Sequence, residues 1–199
     1  MSQLRAPAVL RFTADTYARL RLYVELCPSE IGGLGEVRPE GDGLLVTDLF
    51  LLDQRVSPSA TELQPEAVLR LLHRCLEEGR DPEALRLWWH SHAKHEVEWS
   101  ETDVATIQGF GADALVSLVT NKAGDLLCRF DSWVPEWSTV DRIPVLPLDE
   151  PLSPARALAL REAAWREMVE KVSIMCRDEY VLPDGQVGEL GFLTRLDEN

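Results

Sequence analysis

The sequence predicts an α/β fold of the α+β type, a mixed β-sheet flanked by helices, and three observations carry that prediction. Short apolar runs bounded by turn residues alternate with segments of helical spacing. Their order reads strand, helix, two strands, helix, strand, helix, two strands, which sets helices against a mixed sheet. The 199 residues are 45% hydrophobic and 27% charged, enough to bury a core and too apolar for a disordered chain.

AVLRF (8–12) reads as a strand, and Thr13 offers an N-cap to a helix on which Tyr17, Leu20, Val24 and Cys27 share a face. Pro28 stops that helix. SEIGGLGEV leads into a second strand, RPEGDG is a hairpin-like turn, and LLVTDLFLL (44–52) is a third strand. DQRVSPSATELQ reads as a loop. Pro65 opens the next helix, where its missing N–H costs little, and Gly79 closes it. Val68, Leu71, Leu72, Cys75 and Leu76 form the apolar stripe of this helix, with His73 beside it as a surface residue. LRLWWHSH (85–92) is a strand, a short helix follows near 101–109, and ALVSLVTN and DLLCRFDSWV are strands joined by NKAGD. After the Pro-rich RIPVLPLDEPLSP, Ser153-Pro154 starts a helix expected to run to Cys176, with Trp165, Met168, Val169, Val172, Met175 and Cys176 on one face. A turn is expected at Pro183-Asp184-Gly185.

Composition narrows the function. With 34 acidic against 20 basic residues and a net charge of −14, the chain lacks the basic surplus of a phosphate-binding surface, so nucleic acid is an unexpected partner. No apolar run approaches the roughly 20 residues that span a bilayer. The polar N-terminus MSQLRAPAVLRF does not read as a signal peptide, and the expectation is a cytoplasmic protein without membrane contact. Cys27, Cys75, Cys128 and Cys176 are far apart, which suits small buried hydrophobes better than a disulfide framework or zinc knuckle.

Three of the four histidines, His90, His92 and His95, fall within WWHSHAKHEVEWSETD (88–103). On a strand alternate side chains share a face, so His90 and His92 project together with Trp88, while Trp89 and Ser91 point the other way. Two imidazoles at a strand end can share one divalent metal, zinc being a good match for nitrogen ligands, and Asp103 is a candidate third ligand. Ser100 and Asp103 also read as an ordinary capping box, and the two readings coexist because a helix start would hold both side chains still. A metal-activated water needs a base. Glu30, just ahead of Gly32, Gly33 and Gly35, is a candidate, and those glycines permit close backbone approach.

Glu30, then His90-Ser91-His92, seven residues from Ala93 to Trp99, and Ser100-Glu101-Thr102-Asp103 together resemble the signature of the JAMM metalloprotease family, carried on the MPN domain. Chance coincidence of the four downstream residues at that spacing is on the order of a few in ten thousand. The resemblance covers roughly residues 8–148. It implies an MPN-like domain over 1–148, with an appended helix and tail over 149–199 that packs in cis or serves partner or dimer contacts. It further implies a cytoplasmic zinc metallopeptidase or isopeptidase with one catalytic Zn2+ held by His90, His92 and Asp103. Glu30 would be the general base, and Ser100 would stabilise the oxyanion or position the water. The implied substrate is a ubiquitin-like or sulfur-carrier-like protein, with an extended tail adding to a strand near the Gly-rich edge. Trp88 and Trp99 read as core packing or as walls of a narrow channel. Many relatives carry proline where this chain has Ala93, and the glycine spacing after Glu30 is compressed. The alternative is a non-catalytic MPN scaffold that binds protein partners; such domains usually lose a ligand or the Glu, whereas this chain keeps all five positions.

Overall fold

The computed structural model describes residues 5–148, 151–181 and 187–196, and it is a mixed α/β fold. Among the described residues the helices are α1 (Ala14–Leu26), α2 (Pro65–Glu77), α3 (Glu101–Gly109) and α4 (Pro154–Lys171). One sheet contains β1 (Leu10–Phe12), β2 (Gly32–Glu40), β3 (Gly43–Leu51), β6 (Leu87–Ser91), β7 (Ala114–Thr120), β8 (Leu126–Ser132), β9 (Ser138–Asp141) and β10 (Val145–Pro147). Its spatial order is β10-β1-β3-β2-β6-β7-β8-β9. A smaller sheet contains β4 (Gln54–Ser57), β5 (Ala60–Leu63), β11 (Val172–Val181) and β12 (Val187–Arg195), in the order β12-β11-β4-β5.

Local sequence explains most of the helix ends. Thr13 accepts the Thr16 backbone N–H at the start of α1. Pro65 occupies the first turn of α2, and Gly79 follows its end at φ +68, a conformation in which a Cβ would be strained. The Arg80 N–H then reaches back to the Cys75 carbonyl, satisfying one of the last carbonyls of the helix.

Alternation along the strands splits the core in two. Leu10, Phe12, Tyr23, Trp89, Val116 and Met168 pack on the face covered by α1 and α4. Leu34, Phe50, Leu71, Trp88, Ile107 and Leu115 pack on the face covered by α2 and α3. Gly33 allows this layering, because a Cβ there would come within 2.2 Å of the Phe50 carbonyl and 2.9 Å of the Trp89 ring.

Several expectations need correction. The stretch read as a loop after β3 is a hairpin, β4 and β5, because Gln54–Ser57 finds a parallel partner in β11. Residues Arg38–Glu40 belong to β2, leaving a shorter turn. The expected helix to Cys176 stops at Lys171: Val172, Ser173 and Ile174 alternate against Gln54, Arg55 and Val56. Strand pairing there outweighs a helical pattern already weakened by β-branched residues. On α2 the buried face is Ala67, Leu71 and Cys75, whereas Leu76 is exposed. The Pro-rich segment contributes β10, parallel to β1. The Gly-rich strand β2 lies inside the sheet between β3 and β6, so it offers no free edge. The turn expected at 183–185 lies outside the described residues.

The C-terminal elements share the main core: Ala164, Met168, Val172 and Ile174 are buried in it. Met168→Ala is therefore expected to lower the unfolding free energy of the whole chain by about 2–5 kcal/mol in one cooperative transition. Chemical denaturation followed by far-UV and near-UV circular dichroism checks this. Separate transitions, with the first affecting only the C-terminal segment, would show that it folds independently.

Candidate metal centre

Strand β6 ends where its face turns polar. Trp88 stacks on His90 with ring centroids 4.5 Å apart, whereas Trp89 stacks on Tyr23 on the opposite face at 5.8 Å. His92 stands just past the strand, its N–H bonded to the Thr120 carbonyl at the end of the parallel neighbour β7. Ala93 then adopts φ +44, a conformation closed to proline, whose ring holds φ near −65°. The chain turns there and runs to α3.

Helix α3 brings the third group. Ser100 accepts the Asp103 N–H at 3.1 Å, and the Asp103 carboxylate accepts the Ser100 N–H at 2.9 Å, completing a reciprocal capping box. The Ser100 hydroxyl also donates to the same carboxylate oxygen at 2.7 Å. Asp103 thus starts the helix and at the same time faces both imidazoles. Its Oδ1 lies 3.1 Å from His90 Nε2, its Oδ2 lies 3.4 Å from His92 Nε2, and the two Nε2 atoms are 3.2 Å apart. A tetrahedral ion with bonds of roughly 2.0–2.1 Å separates its ligand atoms by roughly 3.3 Å. The two imidazole nitrogens have about that spacing, each has a carboxylate oxygen of Asp103 at a similar distance, and the buried cluster could hold a metal ion. Oδ2 is held by the cap, which leaves Oδ1 the freer oxygen. His92 Nδ1 lies 3.0 Å from the Glu96 carbonyl, so its proton belongs there and its Nε2 presents a lone pair.

Glu30 reaches the cluster through strand register. Gly32 pairs with His90, and the Ser91 N–H donates to the Ile31 carbonyl, which brings Glu30, the next residue back, near enough to feel the charges of His92 and Asp103. Its backbone N–H donates to Ser57 in β4. Gln54 holds the adjoining Gly32 on both sides, accepting from its N–H at 3.0 Å and donating to its carbonyl at 2.8 Å. Gln54 lay in a segment read as a loop, and its polar side chain alone does not signal the buried bidentate contact. Nor could spacing reveal the Glu96 carbonyl as a partner of His92.

Electrostatics separate the groups. Burial pushes the Glu30 carboxyl up to about 7, with Asp103 adding to the rise and His92 opposing it. Burial alone would raise Asp103, but hydrogen bonds from His90, His92 and Ser100 outweigh it and hold the carboxyl well below the usual range. Burial lowers His90 against the pull of Asp103, whereas hydrogen bonding to Asp103 raises His92 against burial. At neutral pH the Asp103 carboxylate is anionic, and it faces two imidazoles shifted in opposite directions.

The remaining expected residues lie nearby or apart. Ser100 is exposed, and its hydroxyl is engaged by Asp103. Trp88 is buried core beneath His90. Trp99 is half-buried 6.3 Å from the His90 ring, and its indole N–H donates to Asp141. The side chain of His95 is exposed, with its carbonyl accepting from Asn121. His73 is exposed beside Glu77, and Cys27, Cys75 and Cys128 are buried free thiols. No helix among the described residues is long and apolar enough to cross a membrane. No protein-family model and no curated protein matches the chain.

The depressed carboxyl of Asp103 contributes stability that is fully present above its unfolded value, about pH 4, and is lost as the pH falls. The metal-free protein is therefore expected to lose stability below about pH 4, with a shallower acid limb in Asp103→Asn. Denaturant melts across pH 2–7 measure both slopes. Parallel limbs would remove Asp103 as the source of the loss.

Proposed function

We propose that this protein is a zinc-dependent metallopeptidase or isopeptidase that cleaves at the C-terminus of a ubiquitin-like or sulfur-carrier-like protein. The observation that carries the proposal is the convergence of His90, His92 and Asp103, with the Glu30 carboxyl close enough to feel the charges of His92 and Asp103. Two neutral imidazoles and one carboxylate form a three-ligand set that leaves a fourth position open, the pattern of catalytic rather than structural zinc. Zinc so held supplies Lewis acidity, which makes water a competent nucleophile near neutral pH and polarises a carbonyl.

Every other step falls to the chain. Glu30 takes a proton from the attacking water as the new C–O bond forms, then delivers it to the departing nitrogen as the C–N bond breaks. A carboxyl near 7 suits both directions of that transfer, because it gives up and accepts a proton at similar cost. Ser100 fixes the Asp103 carboxylate by two hydrogen bonds; its hydroxyl serves a substrate oxygen only by turning away from Asp103. Among the described residues strand β5 is the outer strand of the smaller sheet, close to Gly32, and its edge would offer main-chain pairing to an extended tail. The site shares that protein-directed surface with the alternative, a scaffold that binds partners without chemistry. The intact Glu30 favours the enzyme.

Purified protein is expected to bind about one zinc. Glu30→Gln should keep that zinc while hydrolysis of a ubiquitin-like protein carrying a C-terminal extension falls by about 10²–10⁴. Zinc content is measured by atomic emission and cleavage by mass spectrometry. A protein that binds no zinc would end the metallopeptidase reading. Zinc binding without cleavage of peptide or isopeptide-linked substrates would favour the scaffold, and full activity in Glu30→Gln would exclude that residue as the base.

A further inference from the structure

We propose that Ser117 is a positioning residue for His90, linked to its Nδ1 through one buried water. Among the described residues two buried side-chain polar atoms have no hydrogen-bond partner, His90 Nδ1 and Ser117 Oγ. Both belong to side chains almost fully removed from solvent, at 2% and 0% exposure.

The register puts them on one face of the sheet, on neighbouring strands. Strands β6 and β7 are parallel neighbours, with Trp88 opposite Ser117 and His90 opposite Val119. Leu115 packs in the same cluster as Trp88, whereas Val116 and Leu118 pack with Trp89 on the opposite face. Alternation therefore sets Ser117 on the Trp88–His90 face, diagonal to His90. A buried imidazole nitrogen or hydroxyl left without a partner carries the full desolvation penalty of that group. Two such atoms at diagonal positions are what one water can satisfy together, with two of its usual two to four bonds.

The consequence falls on the metal ligand. His90 Nε2 faces Asp103 and His92, so ligation through Nε2 requires the ring proton on Nδ1. His92 has a carbonyl for its equivalent proton. His90 has none, and a water held by Ser117 supplies the acceptor that fixes tautomer and ring orientation. Ser117 sits on a buried strand, away from the reacting groups, and touches neither substrate nor ion.

The test is Ser117→Ala. Its zinc affinity, measured by chelator competition, is expected to fall roughly tenfold, the lower end for a lost outer partner of a ligating histidine. In the zinc-loaded wild type, nitrogen-edited NMR is expected to show a His90 Nδ1 proton that exchanges slowly and cross-relaxes with a long-lived water. In the variant that proton exchanges faster. Metal-free Ser117→Ala is expected to melt below the wild type. The inference is overturned by unchanged zinc affinity with an unchanged Nδ1 proton, or by a metal-free variant that melts above the wild type, as removal of a truly unpartnered hydroxyl would produce. It rests on the metal-site reading for its zinc and NMR measurements only; if the wild type binds no zinc, that reading fails while the metal-free melt still decides Ser117.

Discussion

The Asp103 carboxylate is the joint on which the site depends. Through Oδ2 it closes the N-terminus of α3, and through both oxygens it faces the imidazoles at the end of β6. The helix N-terminus favours a negative charge, with its free N–H groups and dipole adding to the hydrogen bonds from Ser100. Together with the hydrogen bonds to His90 and His92, which weigh more, this keeps burial from protonating the carboxyl, although burial raises Glu30. Asp103 is kept anionic by the imidazoles and the cap, whereas Glu30 is raised by burial and by the nearby charge of Asp103.

The sheet topology sets where that joint can form. Strand β6 pairs antiparallel with β2 on one side and parallel with β7 on the other, and α3 is the crossover between the parallel pair. Open mixed sheets place ligand sites beyond the carboxyl ends of parallel strands, where the following helix points its N-terminus inward. His90 and His92 lie at that end of β6, and Ser100-Glu101-Thr102-Asp103 opens the helix that follows. The antiparallel neighbour then carries Glu30 in from the other side, because its strand starts where β6 stops.

Legibility in the sequence tracked how local each cause is. The α3 cap, the shared face of His90 and Trp88, and the exposed His73 depend on neighbours a few residues away, and spacing revealed them. The hairpin β4–β5 and the strand β11 depend on each other across more than a hundred residues, and each is unremarkable alone. Polar Gln54–Ser57 becomes a strand only because Val172–Ile174 lies beside it, and the helical run into Cys176 breaks for the same reason. The placement of Glu30 is intermediate. Its residue type and glycine-rich context were visible, but its approach to His92 and Asp103 needed the pairing of Gly32 with His90.

That long-range pairing also gives the C-terminal segment a stake in the site. Val172 in β11 pairs with Gln54 in β4, and the Gln54 amide grips the backbone of Gly32. Ser57, at the other end of β4, accepts the N–H of Glu30 itself. Helix α4 anchors this arrangement from the far face: Glu167 accepts from the buried Tyr23 hydroxyl and from Lys171, whose ammonium also donates to the Leu51 carbonyl. Tyr23 in turn stacks on Trp89, the residue beside His90. Two routes therefore run from the C-terminal elements to the candidate metal site, one through backbone pairing to Glu30 and one through aromatic packing to β6. A segment joined to the rest only by packing would leave Glu30 free to drift, whereas β11 fixes the strand from which Glu30 hangs. The residues after 150 belong to the support of the candidate base as much as to the core.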